Sequence, residues 1–252
     1  MASRLAAPQL VVNSRMLYTS WIPADPEACA RLLPRALKPA ANRAVYMNQY
    51  VVDSAQQTTG FGAYSLTYLG LDVADQNAPD GVTPGRFFTH YFNSSEIMRE
   101  YAAERGVPAG PGSTTLEVQG GVATATTSVD GTPIIRTRAR VGDVADIVLG
   151  GQLRYITRVK NRLVAGNYPY VGELVSTFEV QSIEFLAPDH PVYALRPASP
   201  LQVVAGSSFY APRDSFVYPG GEEDIGPAQG ETIALDQGFG VSSAGAGAGE
   251  AE

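Results

Sequence analysis

The sequence predicts an α+β protein built on a large antiparallel β barrel or sandwich that encloses a ligand cavity, with a few short helices. Three observations carry this. Runs of Val, Ile, Thr, Tyr and Phe recur at short spacing along most of the 252 residues, and such runs bounded by turn residues read as strands. The pairs Gly120-Gly121 and Asp130-Gly131 fall between such runs, where a two-residue connection makes a hairpin. Only two stretches carry helix signals. A barrel of more than about eight strands leaves room inside for a ligand.

The elements follow in order. Residues 9–23 alternate Val, Leu, Tyr and Trp as a strand does. Asp25-Pro26-Glu27 opens a helix, with Asp25 as N-cap and Pro26 in the first helical position; Pro34 and Pro39 bracket its exit. Residues 45–52 and 63–73 read as strands on either side of a Gly60-Phe61-Gly62 turn, and 74–86 as a polar loop. A short strand over 87–92 precedes a helix that Ser94 and Ser95 start and that runs to about Arg105. Glu96 and Glu100 lie near its start and Arg105 near its end, as the helix dipole favours. Further strands are expected over 114–119, 122–129, 134–141, 153–159, 172–184 and 201–210. Residues 1–218 thus make one domain, and 219–252 an acidic Gly/Ala-rich tail expected to be flexible.

Charge excludes some partners. The chain has 18 Lys and Arg against 25 Asp and Glu, and a net charge of −7. Seven of the acids (Glu222, Glu223, Asp224, Glu231, Asp236, Glu250 and Glu252) follow Pro219, where no Lys or Arg occurs, so the body is neutral. Phosphate affinity needs a basic surface, so neither nucleic acid nor an anionic membrane is an expected partner. No charged-then-apolar leader opens the sequence and no apolar run approaches a membrane span of about 18 residues, so a cytoplasmic protein is expected. The one cysteine, Cys29, excludes a disulfide framework and reads as a packed small hydrophobe. Two histidines 100 residues apart, His90 and His190, give no metal site. There is no Gly-x-Ser-x-Gly elbow and no phosphate loop, and no cofactor is expected.

The run from Trp21 to Pro39, a strand followed by a short helix and a Leu-Pro-x-x-Leu exit, resembles the opening segment of acetoacetate decarboxylase-like proteins. Residues 45–53 and the stretch Gly60-Phe-Gly-Ala-Tyr-Ser-Leu-Thr-Tyr-Leu-Gly70 are similar to that family's next two barrel strands. Met98-Arg99-Glu100 and Gly106-Val107-Pro108 are similar to the helix and loop that lead to its active-site lysine. The resemblance covers about residues 12–217. It implies a barrel, small-molecule carbonyl chemistry and a homo-oligomer. It also implies a Schiff-base lysine just after the Gly-x-Pro turn, where this chain reads Pro108-Ala-Gly-Pro-Gly112. The chain's two lysines are Lys38 and Lys160; its sixteen arginines cannot substitute, because guanidinium stays protonated. The family's two acidic site positions fall on Met47 and Leu66, and its first-strand arginine on Arg15.

Strand parity extends this set. If Met47 and Leu66 face inward, so do Gln49, Tyr64 and Tyr68. Arg15, Tyr64, Tyr68, Gln49 and His90 are therefore the candidate catalytic residues, with Arg15 and a tyrosine hydroxyl opposing developing oxyanion charge and His90 able to act as a base. Met47, Leu66, Trp21 and the helical Glu96, Arg99 and Glu100 are the candidate substrate-binding residues. Such a pocket suits a largely apolar molecule with one carbonyl or anionic head. The expected function is a cofactor-free cyclase or isomerase of a polyketide-like intermediate, which a barrel would accelerate by holding a reactive conformer. A lysine-independent β-keto acid decarboxylase or hydrolase and a non-catalytic small-molecule binder are the alternatives.

Overall fold

A computed structural model describes residues 5–229. In chain order the elements are β1 (Gln9–Trp21), α1 (Pro26–Ala30), β2 (Val45–Val52), β3 (Tyr64–Val73), β4 (Gly85–Asn93), α2 (Glu96–Glu104) and β5 (Ala109–Pro111). They continue with β6 (Ser113–Gln119), β7 (Val122–Val129), β8 (Thr132–Val141), β9 (Ala145–Val159), β10 (Arg162–Val175), β11 (Phe178–Phe185), β12 (Phe209–Tyr218) and β13 (Glu223–Pro227). Strands β1 to β4 form an antiparallel meander. β4 meets β9 in a short parallel register centred on Arg86 and Tyr155. β9 and β10 form a long hairpin, and β12 pairs with both β10 and β1, which closes a seven-strand barrel. Strands β6, β7, β8 and β11 make a second sheet in the order β11-β8-β7-β6. Among the described residues, no helix is long and apolar enough to cross a membrane.

Every residue of β3 is buried, and all but one of β2. Both faces of these strands are covered, so their apolar residues run continuously instead of alternating. One face fills the barrel with Tyr46, Tyr50, Tyr64, Leu66 and Tyr68. The other packs Val45, Met47, Leu69 and Leu71 with Ile135 and Ile183 of the second sheet. Fully burying a side chain such as Ile135 or Leu17 stabilises by about 1.5–3 kcal/mol. A polar seam threads this apolar layer: Gln49 Nε2 donates to Thr127 at 2.9 Å, and the Thr67 hydroxyl lies 2.6 Å from that of Thr127 and 2.7 Å from that of Thr114.

The helix signals are used as expected. Asp25 Oδ1 accepts from Ala28 N at 2.8 Å, and Ser95 caps α2 through Met98 N at 3.3 Å. Several strand boundaries differ. The strand expected over 153–159 begins at Ala145, and Gly151 sits inside it because a Cβ there would lie 2.7 Å from the Tyr170 hydroxyl oxygen. The strand expected over 172–184 is two: the chain leaves the barrel after Val175 and enters the second sheet at Phe178, with Ser176 held by Asp146 at 2.8 Å. The strand expected over 201–210 starts only at Phe209. The boundary at 218 also moves. Residues 223–227 form β13 on the edge of β10, and the acids at its start pair with barrel arginines: Asp224 with Arg162 at 2.8 Å and Glu223 with Arg154 at 3.1 Å. The rest of the expected tail, residues 230–252, lies outside the described residues.

Candidate functional site

The barrel encloses a cavity of about 210 Å³. Even-numbered positions of β1 and β2 supply one wall, Met16, Tyr18, Asn48 and Tyr50. Beyond the β1 bulges, odd positions such as Leu17, Met47 and Gln49 face the second sheet. A bulge in β4, between the pairs Leu69–His90 and Gly70–Phe88, turns both Phe88 and Tyr91 inward although they are three residues apart. β10 adds Tyr168 and Tyr170, and β12 adds Asp214, Phe216 and Tyr218. The lining is chiefly aromatic; Arg86 is its one cation and Asp214 its one carboxyl.

Arg86 sits near the start of β4. Its Nε donates to Asp72 Oδ1 at 3.0 Å, and its Cζ lies 5.4 Å and 5.0 Å from the ring centroids of Tyr18 and Tyr46. Burial disfavours its charge, but Tyr18, Asp72 and Tyr46 more than offset this, so the guanidinium stays a cation. Asp72 uses the Nε edge of the guanidinium, and the terminal nitrogens have no hydrogen-bond acceptor among the described residues.

Asp214 is 1% exposed, and neither carboxyl oxygen has a hydrogen-bond partner among the described residues. Its backbone is well held, since the Ser14 hydroxyl donates to its carbonyl at 3.0 Å. Gly172 makes the room: a Cβ there would lie 2.6 Å from Asp214 Oδ1. Desolvation pushes the carboxyl up to about 8, so it holds its proton at neutral pH. Tyr68 and Tyr170 both lie within the electrostatic reach of Arg86 and Asp214. Asn48 Nδ2 donates to the Tyr68 hydroxyl at 3.0 Å, and Asn48 Oδ1 has no hydrogen-bond partner among the described residues. Cation, neutral acid, amide and phenols thus line one largely apolar, partly open cavity. That set can polarise a carbonyl group and move one proton to or from it.

Of the residues expected from the sequence, Tyr68 lines the cavity. Tyr64 and Leu66 belong to the barrel core behind the wall, with the Tyr64 hydroxyl 2.9 Å from that of Tyr50. Arg15 lies on the outer face of β1. It makes a two-pronged ion pair with Asp53, Nε–Oδ2 at 2.9 Å and Nη2–Oδ1 at 2.6 Å, and also donates to the Leu116 carbonyl of the second sheet. The bulges around Ser14 and the left-handed Asn13 (φ 54°) break simple alternation in β1 just before Arg15. Met47 and Gln49 face the second sheet, one residue out of step with Asn48 and Tyr50. His90 is buried on that same side, its ring stacked on Phe92 at 6.0 Å, and desolvation pushes it down to about 3, so it is a neutral imidazole and a weak base. Trp21 donates from Nε1 to the Leu195 carbonyl at 2.9 Å, remote from the cavity lining. Glu96 and Glu100 are exposed on α2, and Arg99 donates to the Asn93 carbonyl at 2.8 Å. Cys29 is buried and desolvation pushes its thiol up to about 11, as suits a packed side chain.

Sequence reasoning missed Arg86, Asp214 and Asn48. Arg86 falls within residues 74–86, which the sequence reads as a polar loop, whereas β4 begins at Gly85. Asp214 did carry a signal: it shares strand parity with Phe216 and Tyr218, a lone acid on an aromatic face.

A closed barrel backed by a second sheet, with an aromatic cavity inside the barrel, is the acetoacetate decarboxylase-like fold. An acetoacetate decarboxylase structure superposes with a TM-score of 0.62 at 13% identity, covering 90% of this chain and 92% of that one. The acetoacetate decarboxylase of Legionella pneumophila gives 0.61 at 15%, covering 90% of each chain. MppR, an enduracididine biosynthesis enzyme, gives 0.58 at 15%, covering 88% and 89%, and it has also been solved with pyruvate. No family model matches the sequence, and no curated protein matches it significantly. The position where the resemblance places a Schiff-base lysine is filled by β5, whose Ala109 pairs with Tyr91 and packs against the barrel core. Neither Lys38 nor Lys160 lines the cavity.

Proposed function

We propose that this protein is a cofactor-independent enzyme of carbonyl chemistry, a cyclase or isomerase acting on a largely apolar natural-product intermediate of the polyketide kind. The observation that carries the reading is Asp214, a buried carboxyl with no hydrogen-bond partner among the described residues, held protonated and facing the same cavity as the Arg86 cation. Arg86 and the Tyr68 hydroxyl hold the substrate carbonyl oxygen and oppose the negative charge that develops there. An enol carbon of the same chain adds to the conjugated double bond, so that the ring bond forms as the π bond breaks and its electrons pass to the held oxygen; Asp214 gives its proton to the α-carbon of that enolate, and its carboxylate then takes the proton that the attacking enol releases. The proton returns to Asp214 and the mass is unchanged, as ring formation by conjugate addition or double-bond migration requires. The aromatic walls hold the flexible chain in one reactive shape, which lowers the entropic part of the barrier. The fold is shared with MppR, whose bound pyruvate is a small carbonyl compound.

The test is to incubate purified protein with the metabolite that accumulates when its gene is deleted, and to follow mass and retention together. A product of unchanged mass and altered retention, absent with Asp214→Asn, is expected. Loss of carbon dioxide would favour a lysine-independent decarboxylase, and protection of one equivalent without turnover a binding protein.

A further inference from the structure

The cavity has a second polar pole, and Arg86 and Asp214 take no part in it. Tyr50, Tyr64 and Tyr218 bring their hydroxyls together: the Tyr50 oxygen lies 2.9 Å from that of Tyr64 and 2.9 Å from that of Tyr218. Rings around them fix this geometry. Tyr50 packs edge-on to Tyr64 at 5.7 Å, and Phe61 and Tyr101 brace Tyr218 at 5.7 Å and 6.0 Å.

Tyr91, which also lines the cavity, brings its hydroxyl against that of Tyr218 and extends the cluster to four hydroxyls. Four protons are then shared over three contacts in a chain, and each contact consumes one, so one O–H is left to donate outside the cluster. A chain of hydroxyls can run in either direction, and its spare proton can sit on any of the four. Tyr50, Tyr91 and Tyr218 line the cavity, and Tyr64 does not. An acceptor oxygen in the cavity would select an arrangement that aims the spare proton at it. Desolvation raises the pKa of all four phenols, Tyr64 to about 12, so each remains a donor at neutral pH. Tyr50 is 1% and Tyr218 5% exposed, and a buried donor without an acceptor is costly to leave unpaired.

We infer that this tyrosine cluster is a second subsite, which accepts an uncharged oxygen of the same substrate, such as a second ketone, ester or lactone carbonyl. The inference rests on the carbonyl reading of Arg86 and Asp214 given above, and it names the substrate class: a chain oxygenated at two places and folded between two poles. Asn48, which belongs to the first pole, and Tyr50, which belongs to the second, are two residues apart on β2, about 6.7 Å along the strand. The two oxygens therefore sit several bonds apart.

The test compares octane-2,7-dione, whose carbonyls have a comparable separation, with 2-octanone, which has one. Affinities of both are measured by titration calorimetry for the native protein and for Tyr50→Phe and Tyr218→Phe. The dione is expected to bind at least about fivefold more tightly than the mono-ketone, the ratio that one hydrogen bond supplies. Each Phe variant should erase that advantage while leaving 2-octanone affinity within about twofold of native, since only the second carbonyl loses its donor. Equal binding of the two ketones to native protein, or an advantage that survives in both Phe variants, overturns the subsite and leaves the first pole standing. If neither ketone binds native protein, the carbonyl reading of the cavity falls together with the subsite.

Discussion

Asp72 takes the Nε of Arg86 at 3.0 Å from a position 7% exposed, and so anchors the guanidinium at the cavity wall. The pair is a positioning device as much as an electrostatic one, because guanidinium is planar and its donors are rigidly disposed. Removing the cation alone leaves Asp72 as an uncompensated buried charge. Arg86→Leu is expected to cost about 3–5 kcal/mol in urea unfolding, and the double variant Arg86→Leu/Asp72→Leu to recover most of that while remaining inactive. A double variant no more stable than the single one would mean that Asp72 is not the partner that matters.

Asp214 should make stability depend on pH in an unusual direction. Its folded value is about 8, against about 4 when unfolded. Between these values the native state keeps a proton that the unfolded state has released, so stability falls as pH rises from about 4 to about 8, by at most about 1.4 kcal/mol per pH unit. Below about 4 and above about 8 this contribution is flat. Thermal melts of Asp214→Asn should lack the decline, and the gap between variant and native Tm should widen across that window. In the same experiments kcat/KM of the native enzyme should drop above about pH 8, as the acid ionises.

Gly172 offers a way to move that carboxyl without changing its chemistry. Gly172→Ala would place a methyl group 2.6 Å from the present Asp214 Oδ1, and 3.0 Å from Leu174 Cδ1. The carboxyl must shift, and kcat is expected to fall by about 10–100-fold, the scale of a displacement near 1 Å. Native-like circular dichroism with full turnover would show that the position of Asp214 is immaterial.

Arg15 provides the contrast. Its ion pair with Asp53 is partly solvated, with side-chain exposures of 32% and 49%, and partly exposed pairs contribute about 0–1 kcal/mol. Arg15→Ala should leave turnover within experimental error and lower stability only slightly. A large loss of kcat would return Arg15 to the reaction and remove Arg86 from it.

The barrel was legible in the sequence because turns and β-branched runs are local signals. The capping roles of Asp25 and Ser95 were legible for the same reason: each depends on a side chain and a backbone N–H three residues away. The site was less so. In β2 both faces are buried, so nothing in the residues 45–52 distinguishes the Met47–Gln49 face from the Asn48–Tyr50 face. Placing it needed the register against a second sheet about 80 residues later, through Thr127. In β1 a bulge hid the parity, and in β4 another brought Phe88 and Tyr91 to one side. Strand β13 escaped notice because its acids read as solvated tail, whereas their partners Arg154 and Arg162 are distant in sequence.

The two-faced strands also bear on how such a cavity changes over evolutionary time. On β1 and β2, neighbouring positions answer to different demands: Tyr18 and Asn48 to whatever occupies the barrel, Leu17 and Gln49 to the sheet behind it. A codon change at the first kind can alter ligand preference while the second kind keeps the scaffold assembled. A lineage could thus reshape the lining around Arg86 and Asp214 without passing through an unfolded ancestor.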